Sequence, residues 1–547
     1  MSTKEFFDLS GLWEFAFLPA PAMDADVSKI QFDSFAPVPG CFDLLPDYFL
    51  KRGSGVYRRQ VEFGGPAELT CEGLGIRGKI YWDKQLIGEA KAAFACDTFR
   101  FDAGAEGTHE LIIAVNNEFD DSNSSLFHRN YDFYAHGGIY RKVTLTAAED
   151  FYAEELKIIP QDITTGDVEI SLKLCGNTAN CTAAEILFDR QGEAQILPLA
   201  DGQGKGIFRV PSPRLWSPET PELHTAEIRI NGQTFTRTFG LRKTEVIDGK
   251  LFLNGKPLKL IGVNRHDAHP DFGYAVPFSI RCQDIHLLKK MGANCIRGCH
   301  YPQSEEFLDL CDRTGMLVWE ESLAWGNNID ALTDPGFQEG QQRETRKMSL
   351  KSVNHPCVIL WGFLNEAETQ YDSARELVRS LSSILREADP TRLVTFGSNK
   401  LVEDRCLDFV DVISFNTYPA WYGEDQDQFF EDKNITTELR RLEEFANKPE
   451  NRNKALLISE IGAEALPGLH GGQRWSEEYQ ADLQECVVRY VLASERYSGA
   501  LLWQFCDSRT YIGNTAQMRA GGFNHKGLVD RHRNPKESFR RISKILN

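Results

Sequence analysis

Glu366 and Glu460 stand at the ends of two apolar runs, VILWGFLNE (358–366) and ALLISEIG (455–462). A pair of carboxyls is what glycosidic cleavage requires: one gives a proton to the departing oxygen, the other attacks the anomeric carbon or activates a water. The other apolar runs of this half of the chain end on similar residues. They close on Asn264-Arg265-His266-Asp267, Arg297 with His300-Tyr301, Glu320-Glu321, Asn416 with Tyr418, and Trp503 with Asp507. Carboxylates, amides and aromatic platforms without a metal-ligand pattern suit a sugar-cleaving site better than a metal centre. Acids and amides at run ends also serve as helix caps. A single glutamate would favour that structural reading; convergence of all the run ends on one chemistry outweighs it.

The elements that must position these residues follow from the rhythm of the sequence. From about 244 the chain alternates apolar strand-like runs with helix-like stretches. The runs are LKLIGVNRH (258–266), NCIRGCHY (294–301), LVWEES (317–322), VILWGFLNE, LVTFGS (393–398), DVISFNTY (411–418), ALLISEIG and GALLWQFCD (499–507). Eight such repeats predict a closed (β/α)8 barrel over 244–547, whose strand C-termini form one rim. An open doubly wound sheet is the alternative, but the phosphate-binding first turn it usually carries is missing. Residues 1–150 show short alternating runs with turn residues between them, the pattern of a jelly-roll β-sandwich. Residues 151–243 carry roughly seven strand-like runs, which suits an immunoglobulin-like β-sandwich.

Composition narrows the function classes. The 547 residues are 41% hydrophobic and 26% charged, ordinary values for globular protein. Acids outnumber bases 79 to 61, a net charge of −18, which argues against nucleic-acid and anionic-membrane partners. A small anionic substrate stays open, since one basic pocket fits inside an acidic protein. No run approaches the ~18 apolar residues of a membrane span, and the N-terminus shows no basic-then-apolar leader. The 13 cysteines are scattered singly, several inside apolar runs (Cys295, Cys357, Cys506), with no C-x-x-C pair. Reduced thiols in a cytoplasmic protein are expected.

Several segments together resemble the family 2 glycoside hydrolases. FGLRKTEVIDGKLFLNGKPLKLIGVNRHD (239–267) is similar to that family's entry into its barrel, WGFLNEAE (361–368) to its acid/base segment and LLISEIGAEALPGLH (456–470) to its nucleophile segment. DLSGLWEF (8–15), VPGCFD (38–43), YRRQVEF (57–63) and LWSPETPEL (215–223) agree in the earlier part of the chain. Within the family, FNTYPAWY (415–422), WSEEYQ (475–480) and RAGGFNHKG (519–527) look most like the β-glucuronidase branch.

The resemblance implies a retaining exo-hydrolase of β-D-glucuronides, working by double displacement without cofactor or metal, and a homo-oligomer (dimer or tetramer). It implies carboxyls about 5–5.5 Å apart, with Glu366 as general acid/base and Glu460 as nucleophile. Asn365 would bond the sugar's 2-hydroxyl, and Tyr418 would orient Glu460. Asn524 and Lys526 would grip the C6 carboxylate, with Arg519 and Tyr422 beside them. Asp132 would reach the 4-hydroxyl from the first sandwich, Trp503 would form pocket wall, and His300 would line the pocket or satisfy a core bond. The RAGGFNHKG loop carries one residue, Phe523, more than the better-known bacterial pattern. The expected partner is a small glucuronide or a uronic-acid-terminated oligosaccharide.

Other features carry less. Gly73-x-Gly75-x-x-Gly78 has dinucleotide-loop spacing but runs into a strand-like segment, KIYWDKQLIG, where such a loop must open a helix. His266 and His269 have H-x-x-H spacing with no third ligand identifiable in the sequence. Glu320 and Glu321 could rival Glu366, although the family positions suggest scaffolding. Segment 322–345 reads as a long loop after the third strand, overhanging the site. A β-galacturonidase is the nearest alternative, sharing the carboxylate clamp and differing at the 4-hydroxyl. A neutral-sugar β-galactosidase or a non-catalytic carbohydrate-binding protein fits less well.

Overall fold

The structure is a computed structural model and describes residues 6–19, 23–118, 132–422, 428–510 and 519–547. Eight parallel strands close into a barrel: β1 (Leu260–Arg265), β2 (Cys295–Gly298), β3 (Leu317–Glu321), β4 (Val358–Asn365), β5 (Leu393–Ser398), β6 (Val412–Asn416), β7 (Ala455–Ile461) and β8 (Tyr497–Leu502). Closure is made where Val263 of β1 pairs with Leu502 of β8. These runs are apolar almost throughout because barrel strands are covered on both faces, by the barrel core inside and helices outside. Every residue of β1, β4 and β7 is buried.

The helices are α1 (Phe278–Met291), α2 (Glu305–Thr314), α3 (Ile329–Thr333), α4 (Pro335–Ser352), α5 (Arg375–Ala388), α6 (Asp432–Ala446), α7 (Glu477–Ala493) and α8 (Glu537–Leu546). On α5, Leu377, Val378, Leu381, Ile384, Leu385 and Ala388 form the buried stripe that helical periodicity demands. Two connections depart from simple alternation. β5 reaches β6 through short 3-10 turns, Leu401–Glu403 and Leu407–Phe409, with no α-helix between them among the described residues. The segment 322–345, expected as a long loop, becomes helical from Ile329. Asp334 caps α4 by accepting from the Phe337 N–H at 2.8 Å. Pro335, which reads as a breaker, sits in the first helical turn, where its missing N–H costs nothing.

Ahead of the barrel lie two β-sandwiches. The first pairs a four-stranded with a six-stranded sheet, and the second pairs a three-stranded with a four-stranded sheet. The run KIYWDKQLIG is two strands, Arg77–Trp82 and Gln85–Ala90. Asp83 and Lys84 turn between them with φ of 47° and 67°, a two-residue hairpin of the kind that matches strand twist. The glycine spacing at 73–78 therefore leads into a strand.

The first sandwich docks on the barrel rim and carries Asp132 to it. Phe94 stacks on Tyr301 at 3.9 Å, Arg141 Nη2 donates to the Pro302 carbonyl at 3.1 Å, and the Tyr134 N–H donates to the Arg509 carbonyl at 3.0 Å. The second sandwich is held from the side: Trp216 Nε1 donates to the Asp312 carbonyl at 2.8 Å. The thirteen cysteines form no disulfide. Among the described residues no helix is long and apolar enough to cross a membrane.

Candidate active site

β4 leaves regular pairing just before its end, with an irregularity between Gly362 and Asn365. Leu364 and Glu366 take left-handed backbone angles, φ of 49° and 55°, a conformation that costs non-glycine residues about 1–3 kcal/mol each. The bend lets the Glu366 N–H bond the Gly397 carbonyl of β5 at 2.9 Å while its side chain faces a cavity of about 600 Å³. β7 is irregular between Ile458 and Ile461, which brings Glu460 opposite Asn416 and into the same cavity.

A buried polar web joins the two glutamates. Arg297, fully buried on β2, donates to Glu460 Oε1 at 2.7 Å, Asn365 Oδ1 at 2.7 Å and Glu321 Oε2 at 2.9 Å. The Tyr418 hydroxyl donates to Glu460 Oε2 at 2.7 Å. The Asn416 amide donates to Glu366 Oε1 and Asn365 Oδ1, both at 3.0 Å, and accepts from the Ser459 hydroxyl at 2.7 Å. Asn365 Nδ2 is buried with no hydrogen-bond partner among the described residues. Gly397 lets the web close: a Cβ there would stand 2.7 Å from Asn365 Oδ1 and 2.9 Å from Arg297 Nη2.

The electrostatics divide the two carboxyls. Burial raises the Glu366 carboxyl against the Asn416 bond, and Asp132 adds to the rise. Burial pushes Glu460 up to about 8, with Glu366 adding and Arg297 and Tyr418 opposing. The two carboxyls interact, so their titration belongs to the pair. Among the donors, a guanidinium and a hydroxyl favour the anion on Glu460, whereas Glu366 receives one neutral amide.

At the other side of the cavity Lys526 Nζ donates to the Tyr422 hydroxyl at 2.7 Å and to Glu464 Oε1 at 3.2 Å. Arg519 forks onto Asp132, with Nη2 2.8 and 2.7 Å from its two oxygens, and also bonds Glu464. Asn524 donates to Asp132 Oδ2 at 3.1 Å and accepts from the Lys526 N–H at 3.1 Å. Phe523 of this loop pairs with Arg509, and Asn524 pairs with Ser508.

Of the residues singled out in the sequence, Asp132, Glu366, Tyr418, Tyr422, Glu460, Trp503 and Lys526 line the cavity. Asn365, His300, Arg519 and Asn524 stand behind them. His300 Nδ1 donates to Glu321 Oε1 at 2.7 Å, its ring stacks on Trp503 at 5.3 Å, and its buried Nε2 makes no hydrogen bond among the described residues and lies 3.9 Å from Glu460 Oε1. Glu321 is thus bound to Arg297 and His300, in a scaffolding position. Of segment 322–345, Trp325 reaches the cavity.

For a metal, the fold brings Cys299 and His300 to His266, with ligand atoms within 4.8 Å of one another, and leaves His269 with Asp271 and His532. The first group consists of neutral hydrogen-bonding side chains: burial lowers His266 and His300 and raises the Cys299 thiol. Sequence reading missed Arg297 as the hub, Gly397 as the gap and Glu464 as the partner of both cations. Only Arg297 left a signal, its place at a strand end.

A closed (β/α)8 barrel with two strand-end glutamates facing each other's cavity wall defines a two-carboxylate barrel of the glycoside hydrolase type. Residues 244–546 match the description "Glycosyl hydrolases family 2, TIM barrel domain" and residues 152–242 match "Glycosyl hydrolases family 2". The chain belongs to glycosyl hydrolase family 2. It is 30% identical to the beta-glucuronidase of Sus scrofa over 75% of this chain and 64% of that protein, so it spans about two thirds of the mammalian relative's length. It is 26% identical to the beta-glucuronidase of Streptococcus agalactiae over 99% of this chain and 96% of that one. A solved structure of a beta-galacturonidase from Eisenbergiella tayi bound to galacturonate superposes with a TM-score of 0.90 at 29% identity, covering 99% of this chain and 97% of that one.

Proposed function

We propose that the protein hydrolyses β-linked uronides, β-D-glucuronides foremost, with retention of configuration. Glu460, bonded by Arg297 and Tyr418, attacks the anomeric carbon as its anion while Glu366 gives its proton to the leaving oxygen. Glu366, then ionised, takes a proton from a water that attacks the same carbon and releases Glu460. Asn365 Nδ2 is the donor for the 2-hydroxyl. The observation that carries the uronide reading is the buried Lys526 ammonium facing the cavity that holds both glutamates. An ammonium in that wall suits a sugar carboxylate and serves no purpose for a neutral sugar.

A β-galacturonide is the second reading. Asp132 is forked onto Arg519 and bonded by Asn524, so the 4-hydroxyl meets an arginine and a carboxylate together. That arrangement can serve either configuration at C4, and the galacturonidase likeness supports it. A panel of nitrophenyl β-glycosides tests both: glucuronide, galacturonide, glucoside and galactoside. The uronides should exceed their neutral counterparts in kcat/KM by at least about a hundredfold, a difference of about 2.7 kcal/mol. A neutral glycoside cleaved fastest would end the reading.

A further inference from the structure

Asp132, Arg519, Glu464 and Lys526 alternate in sign along one line of contacts. Arg519 Nη2 lies 2.7 Å from Asp132 Oδ2, Arg519 Nη1 bonds Glu464 Oε1, and that same oxygen accepts from Lys526 Nζ at 3.2 Å. The side chains of Arg519, Glu464 and Lys526 are 4%, 3% and 1% exposed. A carboxylate buried this deeply survives only with several donors, and Glu464 has three: Lys526, Arg519 and the His525 N–H at 3.4 Å. Burial works against its charge, yet Lys526 and Arg519 hold the carboxyl below its ordinary value.

Glu464 is not among the residues lining the cavity and has no part in the chemistry proposed above. Its contacts are geometric. It lies in the segment leaving β7, just beyond Glu460, and all its partners lie on the 519–527 loop that follows β8. The next residue completes the join, the Ala465 N–H donating to the His525 carbonyl at 3.0 Å. Both backbone polar groups of His525 are therefore held by the segment that also carries Glu460. Lys526 has three N–H donors: Glu464 and the Tyr422 hydroxyl take two, and the third is left for the cavity.

We propose that Glu464 is a positioning residue for uronate selectivity: by tying Lys526 and its loop to the segment after β7, it fixes the ammonium relative to Glu460. This rests on the uronide reading. Position and charge make opposite demands here. Glu464 is a negative charge 3.2 Å from Lys526, so an effect of its charge alone would weaken binding of an anionic sugar, and its loss would tighten it.

The test is Glu464→Gln, assayed on whichever uronide the wild type cleaves fastest and on the neutral glycoside with the same leaving group, with inhibition by the free uronic acid alongside. Positioning requires that KM for the uronide and the inhibition constant of the free acid rise at least tenfold, while kcat falls less than fivefold. The neutral glycoside's kcat/KM should stay within threefold, so the selectivity ratio drops about tenfold. An unchanged or lower KM, or a parallel fall on both substrates, overturns the assignment. If the Gln variant melts far below the wild type, Glu464→Asp decides: it keeps the charge and shortens the reach, and must lose selectivity all the same. A wild type that prefers neutral glycosides overturns the uronide reading and this inference together. A uronide-selective wild type with an equally selective variant overturns the inference alone.

Discussion

Arg297 and Glu460 share a 2.7 Å hydrogen bond at the floor of the cavity, 0% and 4% exposed at their side chains. The bond joins β2 to β7 across the barrel, and the same guanidinium reaches Asn365 of β4. One planar cation therefore orients the proposed nucleophile and the residue beside the proposed acid. Lysine, a point charge on a flexible stem, cannot reproduce that fork. Arg297→Lys should lower kcat/KM by about a hundredfold or more, the cost of losing one aligned donor in a buried site. Folding is checked by melting in parallel; activity within about threefold of wild type would remove Arg297 from the mechanism.

The two carboxyls should separate kinetically. Glu460→Gln should abolish turnover of every substrate, because an amide cannot form the glycosyl ester. Glu366→Gln should spare substrates with good leaving groups, which need little protonation. The pH profile follows. Burial raises Glu366, so the proposed acid stays protonated, and activity persists, above the pH at which an ordinary glutamate has lost its proton. Activity falls on the alkaline side as that proton leaves and on the acid side as the coupled pair takes up a second one. In Glu366→Gln, on an activated substrate, the alkaline limb should vanish. Its persistence there would assign that limb to another group.

The places of the two glutamates and Lys526 in the cavity wall, and the barrel itself, were legible because each is local: an apolar run, a repeat of run and helix, a loop matched to a family segment. Arg297 was not. Its bond to Glu460 spans 163 residues and its bond to Asn365 spans 68, and both form only when the barrel closes. Glu464 escaped for the same reason, since its partners lie on a different loop. The error at 322–345 had another origin: Pro335 carries the same local signal whether it ends a helix or opens one, and the Asp334 cap decides.

Glu320 offers a stability test outside the proposed chemistry. It is fully buried and accepts from the Gln303 N–H at 3.3 Å, and the Ser352 side chain offsets part of its burial cost. Burial pushes its carboxyl up from 4.5 to about 7. A raised carboxyl stabilises the fold below its unfolded pKa and loses that contribution as pH rises through the folded one. By pH 8 the cost is of order 3 kcal/mol at about 1.36 kcal/mol per unit. Glu320→Gln should therefore melt a few degrees above the wild type at pH 8 and close to it at pH 5. A pH-independent difference between the two proteins would show that Glu320 is not the group being titrated.

Lys526 is where the choice between a charged and a neutral sugar can be tested. Its ammonium is 1% exposed, bonded to Tyr422 and Glu464, and faces the cavity. Lys526→Ala removes one charge-assisted contact to a C6 carboxylate, worth roughly 1.5–3 kcal/mol. It also leaves the Glu464 carboxylate with one cation fewer, so repulsion of an anionic sugar adds to the loss. The uronide's kcat/KM should fall about tenfold to several-hundredfold. The matching neutral glycoside has no carboxylate to hold and should change little or improve. The ratio of the two rates is the quantity to measure, because a loosened 519–527 loop or a destabilised barrel would depress both. A parallel fall would make Lys526 a structural lysine holding Glu464 in place, and the wall of the cavity would then no longer distinguish an acid from a neutral sugar.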